Sequence, residues 1–161
     1  MEPLILTRKA LTVVGLKYRG QNRQGEVRQL WRRFALRAAE IGQQVSGGSY
    51  GVMGGYEQPC GGMGNYDPSY GEFDYLAGVE VDSVANMPAG MESWEIPEQQ
   101  YAVFVFPFRD MRQNYRYIYQ EWLPASEYQL AEAPELEFYP ATFDPDDQNS
   151  EMFLYLPIKP R

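Results

Sequence analysis

The sequence has no histidine and only one cysteine, Cys60, among its 161 residues. These absences exclude an intramolecular disulfide and leave no recognisable zinc or haem site, so we expect neither a metal nor a cofactor. A nucleophilic triad would lack its usual histidine base, and Cys60 has no base partner in the sequence. Because a lone cysteine needs no oxidising compartment, we expect a cytoplasmic protein.

Positive charge and long apolar runs are also scarce. The chain has 14 basic and 22 acidic residues, for a net charge of -8. This balance argues against direct nucleic-acid binding, which depends on clustered Lys and Arg. No apolar run approaches membrane-spanning length, and the N-terminus lacks a signal-peptide pattern, so we expect no membrane association. The acidity instead suits a cationic small ligand or a basic protein partner.

Aromatic residues, in contrast, are abundant. They make up 15% of the chain, with 13 Tyr, 8 Phe and 3 Trp. Tyrosine is useful wherever a surface must be both apolar and hydrogen-bonding, as in a pocket or an interface. With 44% hydrophobic residues, the chain is expected to fold as one domain over residues 1–161.

Hydrophobic periodicity predicts the same order of elements in each half of the chain. In the first half it predicts a strand at about 10–18, a helix over 26–41, and strands at 50–54 and 73–81. In the second half it predicts a strand over 99–108, a helix over 110–122, and a closing hairpin of 136–143 with 152–158. The glycine-rich stretch 47–71 is expected to be an ordered strand plus loop, and its conformation stays open.

The repeated order strand, helix, strand, strand predicts an α+β fold built from a tandem repeat. The first unit covers about 4–82 and the second about 97–159. We expect pseudo-twofold symmetry between the units, with each helix covering one antiparallel segment. A groove where the two halves meet is then the natural place for a ligand.

One carboxylate stands out in the predicted hairpin. Alternation along the strand puts Glu137 and Tyr139 on one face, and Leu136 and Phe138 on the other. An ionised carboxylate on an apolar face must be desolvated, paired, wetted or matched by a positive ligand. Exposure of Glu137 on an edge strand is the alternative, and the pattern alone leaves both open.

Four ordered segments resemble the GyrI-like effector-binding domains of multidrug-sensing transcription activators and their free-standing relatives. They are Phe73-Asp74-Tyr75-Leu76-Ala77-Gly78-Val79-Glu80-Val81, Ile96-Pro97 with Tyr101-Ala102-Val103-Phe104, Trp122-Leu123-Pro124-Ala125-Ser126-Glu127-Tyr128, and Leu136-Glu137-Phe138-Tyr139 with Leu156-Pro157-Ile158-Lys159. Since Met1 directly precedes the first predicted strand, a free-standing form is expected, in which regulation needs a protein partner.

The resemblance implies that a lipophilic, cationic compound is held between two strand-helix-strand-strand units of the SHS2 type. Its motif for a buried, ligand-facing glutamate falls on Glu137. The sequence departs from the family pattern at Leu136, where an aromatic residue is usual, and at Tyr128, where Gly is frequent. The long glycine-rich loop also departs from the pattern and leaves the shape of the pocket mouth open.

The predicted ligand site combines Glu137, as the counter-charge, with rings that sandwich a flat apolar cation. The candidate rings are Tyr50, Tyr75, Tyr139, Tyr155, Trp31, Trp122 and Phe34. For Trp31 and Trp122, packing in a core is the alternative, because an apolar helical stripe usually faces a core. For Tyr155, exposure to solvent is the alternative.

Two other functions stay open at this point. Some members of the superfamily hydrolyse cyclopropane-containing genotoxic compounds, and by resemblance Glu137 with Glu151 could activate water here. Other free-standing relatives include an inhibitor that binds DNA gyrase, which suggests a protein-interaction module. The acidic turn with Asp144, Asp146 and Asp147 lacks EF-hand spacing, so no calcium site is expected. A monomer and a homodimer are equally compatible with the sequence.

Overall fold

The computed structural model describes residues 1–45, 47–54 and 71–161. Most of the predicted glycine-rich loop, including Cys60, lies outside the described residues. The described chain has an α+β fold, with nine antiparallel strands and two main helical segments. None of these helices combines the length and the apolar character needed to cross a bilayer.

The strands form one sheet with a short extra strand at its side. They are β1 (Leu4–Arg8), β2 (Leu11–Gly20), β3 (Gly48–Gly54), β4 (Phe73–Val81), β5 (Glu92–Ile96), β6 (Gln99–Pro107), β7 (Tyr128–Leu130), β8 (Glu135–Pro140) and β9 (Glu151–Pro160). The order across the sheet is β1-β6-β9-β8-β3-β4-β2-β5, and β7 pairs with β9. The predicted hairpin of β8 with β9 is confirmed. β1, β5 and β7 are additional strands that the periodicity did not separate.

The sheet curls because of the way β1 and β2 are connected. β1 lies at one end of the strand order and β2 near the other, yet only Lys9 and Ala10 join them. Such a connection spans at most about 11 Å, so the two ends of the sheet must approach each other. The Arg8 guanidinium at the end of β1 links the two ends of the sheet, because it forms an ion pair with Glu80 on β4 at 2.9 Å.

The inner face of the curled sheet, on which none of the described helices packs, is filled by apolar and aromatic side chains. Its buried residues are Leu11, Val13, Tyr50, Val52, Leu76, Ile96, Tyr101, Val103 and Leu136. The Tyr50 hydroxyl accepts a hydrogen bond from Arg8 Nη2 at 2.8 Å. Alternation therefore sends one set of side chains into this core and the other set outward to the helices.

Helix α1 (Glu26–Arg37) covers the outer face of the first half of the sheet. It begins after Gly25, which adopts a left-handed φ of 73°, and the Asn22 side chain accepts the Val27 N–H at 3.0 Å. The helix buries Val27, Leu30 and Phe34 against the sheet.

The predicted extension of α1 to residue 41 is wrong, because the chain tightens into a 3₁₀ turn at Ala38–Glu40. The Gln44 amide donates to the carbonyls of Ala38 and Ile41, both at 2.9 Å. These bonds satisfy the end of the helix without a further turn.

Helix α2 (Met111–Tyr117) covers the outer face of the second half and buries Met111 and Tyr115. It continues as a π-helical turn at Ile118–Trp122 and a last turn at Leu123–Ala125. Pro124 has no N–H for the regular ladder, which is consistent with the change of winding before it. The predicted helix over 110–122 is thus confirmed in place but is not uniformly α-helical.

Strands β3 and β8 form the seam between the two halves. Their register places Tyr50 opposite Phe138, Gly51 opposite Glu137, and Val52 opposite Leu136. Strand, helix, strand, strand recurs on both sides of the seam, while the pseudo-twofold relation stays a prediction. Glu137 on β8 therefore lies at the boundary between the part of the sheet that α1 covers and the part that α2 covers.

Candidate functional site

Glu137 is a fully buried carboxylate on the outer face of the seam. Its exposed fraction is 0%, and it lies opposite Leu154 of β9 as well as Gly51 of β3. Leu154 belongs to the core under α2, so Glu137 faces the helical side. Glu137 is therefore not exposed on an edge strand, which was the alternative that the sequence left open.

Two tyrosine hydroxyls donate hydrogen bonds to Glu137. Tyr75 on β4 donates to Oε1 at 2.8 Å, and Tyr139 on β8 donates to Oε2 at 3.2 Å. The Trp31 indole N–H on α1 in turn donates to the Tyr75 hydroxyl at 2.9 Å. Trp31, Tyr75 and Glu137 thus form a chain from the first helix to the seam, and each donor in it is neutral.

Burial keeps the two phenols in their neutral, donating form. It raises the pKa of Tyr75 well above its usual value, and the neighbouring Glu137 charge raises that pKa further. Burial and then the same charge also raise the pKa of Tyr139. Neutral donors stabilise a carboxylate but do not cancel its charge, so these two bonds leave its negative potential in place.

The space for the Tyr75 hydroxyl exists because residue 51 is glycine. A Cβ at Gly51 would lie 1.9 Å from the Tyr75 hydroxyl oxygen and 3.1 Å from Glu137 Oε1. Any side chain here would push the phenol away from the carboxylate. Gly51 is thus a component of the site that the sequence analysis did not identify.

Aromatic rings surround the carboxylate on the helical side. Trp31 lies edge to face with Tyr139 at 5.4 Å between centroids and with Phe34 at 5.9 Å. Tyr139 also meets Phe143 at 4.8 Å and Phe108 at 6.4 Å. Trp31, Tyr139, Phe108 and Phe143 are half-buried, so the ring cluster extends from Glu137 to the surface.

A second buried carboxylate, Glu135, lies two residues before Glu137 on β8. It is 3% exposed and accepts a hydrogen bond from the Tyr119 hydroxyl in the π-helical turn. The alternation that paired Glu137 with Tyr139 also puts Glu135 on their face. This signal was present in the sequence, whereas Phe108 and Phe143 gave none.

The predicted site residues divide into three groups. Tyr75 and Tyr139 contact Glu137 directly. Trp31 contacts both tyrosines, and Phe34 contacts Trp31. Trp122 packs instead on Phe104 and Tyr128, at 5.0 and 6.4 Å.

The remaining predicted residues lie on the other face of the sheet. Tyr50 and Tyr155 belong to the inner core. Glu151 is exposed, and alternation along β9 puts its side chain on the same face as Tyr155 and on the face opposite to Leu154. The structure therefore does not bring Glu151 together with Glu137 as a hydrolytic pair.

One surface cavity among the described residues is separate from this cluster. It has a volume of about 420 Å³ and lies between α1 and the β2–β5 edge, against Leu30, Arg33 and Glu92. Its lining mixes acidic and basic side chains and does not include Glu137. Since Glu137 is fully buried, a ligand can reach it only if the side chains that cover it move.

Comparison with known proteins gives a consistent family match. Residues 1–159 match the GyrI-like family model, described as a GyrI-like small molecule binding domain. The transcriptional regulator BrlR of Pseudomonas aeruginosa is 33% identical over 162 residues, which cover 98% of this chain and 56% of BrlR. The chain thus spans little more than half the length of this relative.

Solved structures share the fold. SAV2435 bound to tetraphenylphosphonium superposes with a TM-score of 0.71 at 19% identity, covering 99% of this chain and 94% of that one. The C-terminal domain of EcmrR gives a TM-score of 0.67 at 11% identity, covering 99% and 98% of the two chains. At these identities the likeness concerns the fold alone.

Proposed function

The chain belongs to the GyrI-like small molecule binding domain family, and on this basis we propose that it binds lipophilic cations at Glu137. The observation that carries the proposal is a fully buried carboxylate among aromatic rings. Tyr75 and Tyr139 hold its two oxygens. A cation that enters the ring cluster offsets the cost of burying this charge.

The rings supply the second part of the affinity. Trp31 and Tyr139 present faces and edges beside the carboxylate, and a cation over an aromatic face gains about 0.5–2 kcal/mol. A charge-assisted contact adds about 1.5–3 kcal/mol. Several such contacts are sufficient for micromolar affinity, which corresponds to about 8 kcal/mol. The fold neighbour SAV2435 with bound tetraphenylphosphonium supports this ligand class.

We place the entry route on the half-buried side of the ring cluster. Phe108, Phe143 and Tyr139 contact one another there, and outward rotation of these rings opens a path to the carboxylate. An aromatic cluster can rearrange in this way because its edge-to-face contacts contribute only about 0.5–1.5 kcal/mol each.

The cellular role that we propose is small-molecule sensing or sequestration in the cytoplasm. The similarity to a transcription regulator supports a link to gene control. Since the chain carries a net charge of -8, we propose that such control acts through a protein partner rather than through direct DNA contact.

A thermal-shift experiment with a matched pair of ions tests the proposal. Tetraphenylphosphonium and tetraphenylborate have nearly the same shape and opposite charge. At one hundred times its dissociation constant, the cation should stabilise the protein by about 2.7 kcal/mol, or roughly 5–10 °C. The anion should produce no such shift. Equal shifts with both ions, or no shift with any of a varied set of lipophilic cations, contradict the proposal.

A further inference from the structure

Strand β1 leaves one edge of the curled sheet open. It stands at one end of the strand order, and among the residues that the structure describes Leu4–Arg8 pair with β6 alone. The backbone groups on the other side of β1 therefore have no described strand to pair with. A row of N–H and C=O groups at such an edge is a template for the strand of another chain.

The two ends of the sheet differ in how they are protected. At the far end, β5 has exposed acids at Glu92 and Glu95 and is followed by Pro97. Charged side chains and proline are common devices that keep an edge strand from pairing. β1 has neither device within its bounds before Arg8, since it begins Leu-Ile-Leu-Thr. Its edge is therefore open to a partner, whereas that of β5 is blunted.

An exposed apolar patch adjoins the open edge. Leu4 is 64% exposed and Val105 on β6 is 40% exposed. Leu4 lies opposite Val103, and Val105 lies opposite the half-buried Phe153 of β9. Alternation puts Leu4, Val105 and Phe153 on the inner face of the sheet, as direct or diagonal neighbours. Contiguous exposed apolar groups of this kind mark interaction surfaces.

We propose that the β1 edge and this patch form a homodimer interface, in which β1 pairs antiparallel with β1 of a second copy about a twofold axis. The strand is self-complementary in one register, with Ile5 opposite the partner's Ile5. Leu4 then lies opposite the partner's Leu6, and Glu2 opposite the partner's Arg8. A twofold interface requires this reciprocity, and directly opposite side chains are the pairs that stabilise a sheet.

Charge favours this register and this surface. A shift of two residues in one direction puts Glu2 opposite Leu6, and a shift in the other direction puts Arg8 opposite Leu4. Only the proposed register sets the exposed Glu2 carboxylate against a cation. The net charge of -8 makes most of the surface repel a second copy. Residues 3–7 carry no acid, so two copies can meet there without that repulsion.

Sedimentation velocity over about 1–200 μM protein tests the dimer, since a strand-edge interface of this size corresponds to micromolar affinity. The wild type should shift reversibly from the 18.6 kDa chain to a species of twice that mass. Leu4→Lys places a charge at the edge and should raise the dimer dissociation constant at least about tenfold. Leu36→Lys is the matched control, because Leu36 is 88% exposed but lies on α1. It should dimerise like wild type.

Hydrogen exchange locates the interface within the chain. The amides of Leu4–Arg8 that face the open edge should exchange rapidly in dilute protein and about tenfold more slowly once the dimer is populated. Leu4→Lys should lose this concentration-dependent protection. The amides of β5 should show no dependence on concentration in the wild type or in either variant.

A wild type that stays monomeric up to about 200 μM overturns the inference, whether the edge then binds another protein or none. A dimer that Leu4→Lys leaves intact, or that Leu36→Lys weakens equally, overturns it as well. So does a dimer in which the exchange of the β1 amides is unchanged. None of these results bears on cation binding at Glu137, which is tested separately.

Discussion

Replacing Gly51 with alanine should disrupt the carboxylate site directly. The new Cβ would lie 1.9 Å from the Tyr75 hydroxyl oxygen and 3.1 Å from Glu137 Oε1. Tyr75 has an exposed fraction of 0%, and its planar ring cannot bend away from the clash. The side chain must therefore shift as a unit and give up its hydrogen bond to Glu137.

Two costs determine the size of the effect. Overpacking of a filled core costs about 1–3 kcal/mol. Loss of a hydrogen bond to a charged group costs about 1.5–3 kcal/mol. Together they predict that Gly51→Ala lowers the free energy of unfolding by about 2.5–6 kcal/mol. Urea unfolding followed by tryptophan fluorescence measures this change.

Gly42→Ala is the matched control. A Cβ at Gly42 meets no atom within 4 Å, so its free energy of unfolding should stay within about 0.5 kcal/mol of wild type. The same small change for Gly51→Ala would refute the argument that Gly51 is required for the contact between Tyr75 and Glu137.

Other predictions concern the buried tyrosines and Glu151, the second acid of the hydrolase alternative. Tyr75→Phe should lower the free energy of unfolding by about 1.5–3 kcal/mol, because Glu137 loses a donor, and urea titration measures the loss. Since burial raises the pKa of Tyr75 and Tyr139, and that of Tyr50 to about 12, their contribution is complete below pH 10. As pH rises above 10, each should remove about 1.4 kcal/mol of stability per pH unit, because the unfolded state releases its proton first. Tyr75→Phe should reduce this pH slope of the unfolding free energy by the contribution of one tyrosine. A slope identical to that of the wild type would contradict the claim that the pKa of Tyr75 is raised in the folded state. Glu151→Gln should leave tetraphenylphosphonium affinity unchanged in calorimetric titration, since Glu151 lies on the opposite face of the sheet, whereas a tenfold loss would argue against that placement.

The strands with strong patterns could be predicted from the sequence, whereas the edge strands could not. The apolar run of β4 predicted its bounds at Phe73–Val81, because the strand is buried on both faces. β5, at Glu92–Ile96, lies at the end of the sheet with exposed acidic residues. A strand that pairs on one side only does not need a continuous apolar pattern.

The site shows the same division between local and non-local information. Glu137 and Tyr139 are two residues apart, so alternation predicts their shared face. Tyr75 and Trp31 reach them from other elements, and no short-range pattern encodes those contacts. Their position depends on the pairing of β3 with both β4 and β8.

Register explains why Tyr50 lies away from Glu137. Tyr50 pairs with Phe138, while Gly51 pairs with Glu137. A shift of one residue in a strand moves every side chain to the other face. The sequence contains an aromatic residue beside the seam, but only the observed register shows that it points into the inner core.

The most direct test of the central claim is the affinity of Glu137→Gln for tetraphenylphosphonium by isothermal titration calorimetry. Glutamine keeps the shape of the side chain and can still accept the Tyr75 hydrogen bond, while the negative charge is removed. Affinity should fall by about ten- to hundredfold relative to wild type, as expected for the loss of a charge-assisted contact. An unchanged affinity in a variant that melts like wild type would contradict the assignment of Glu137 as the counter-charge.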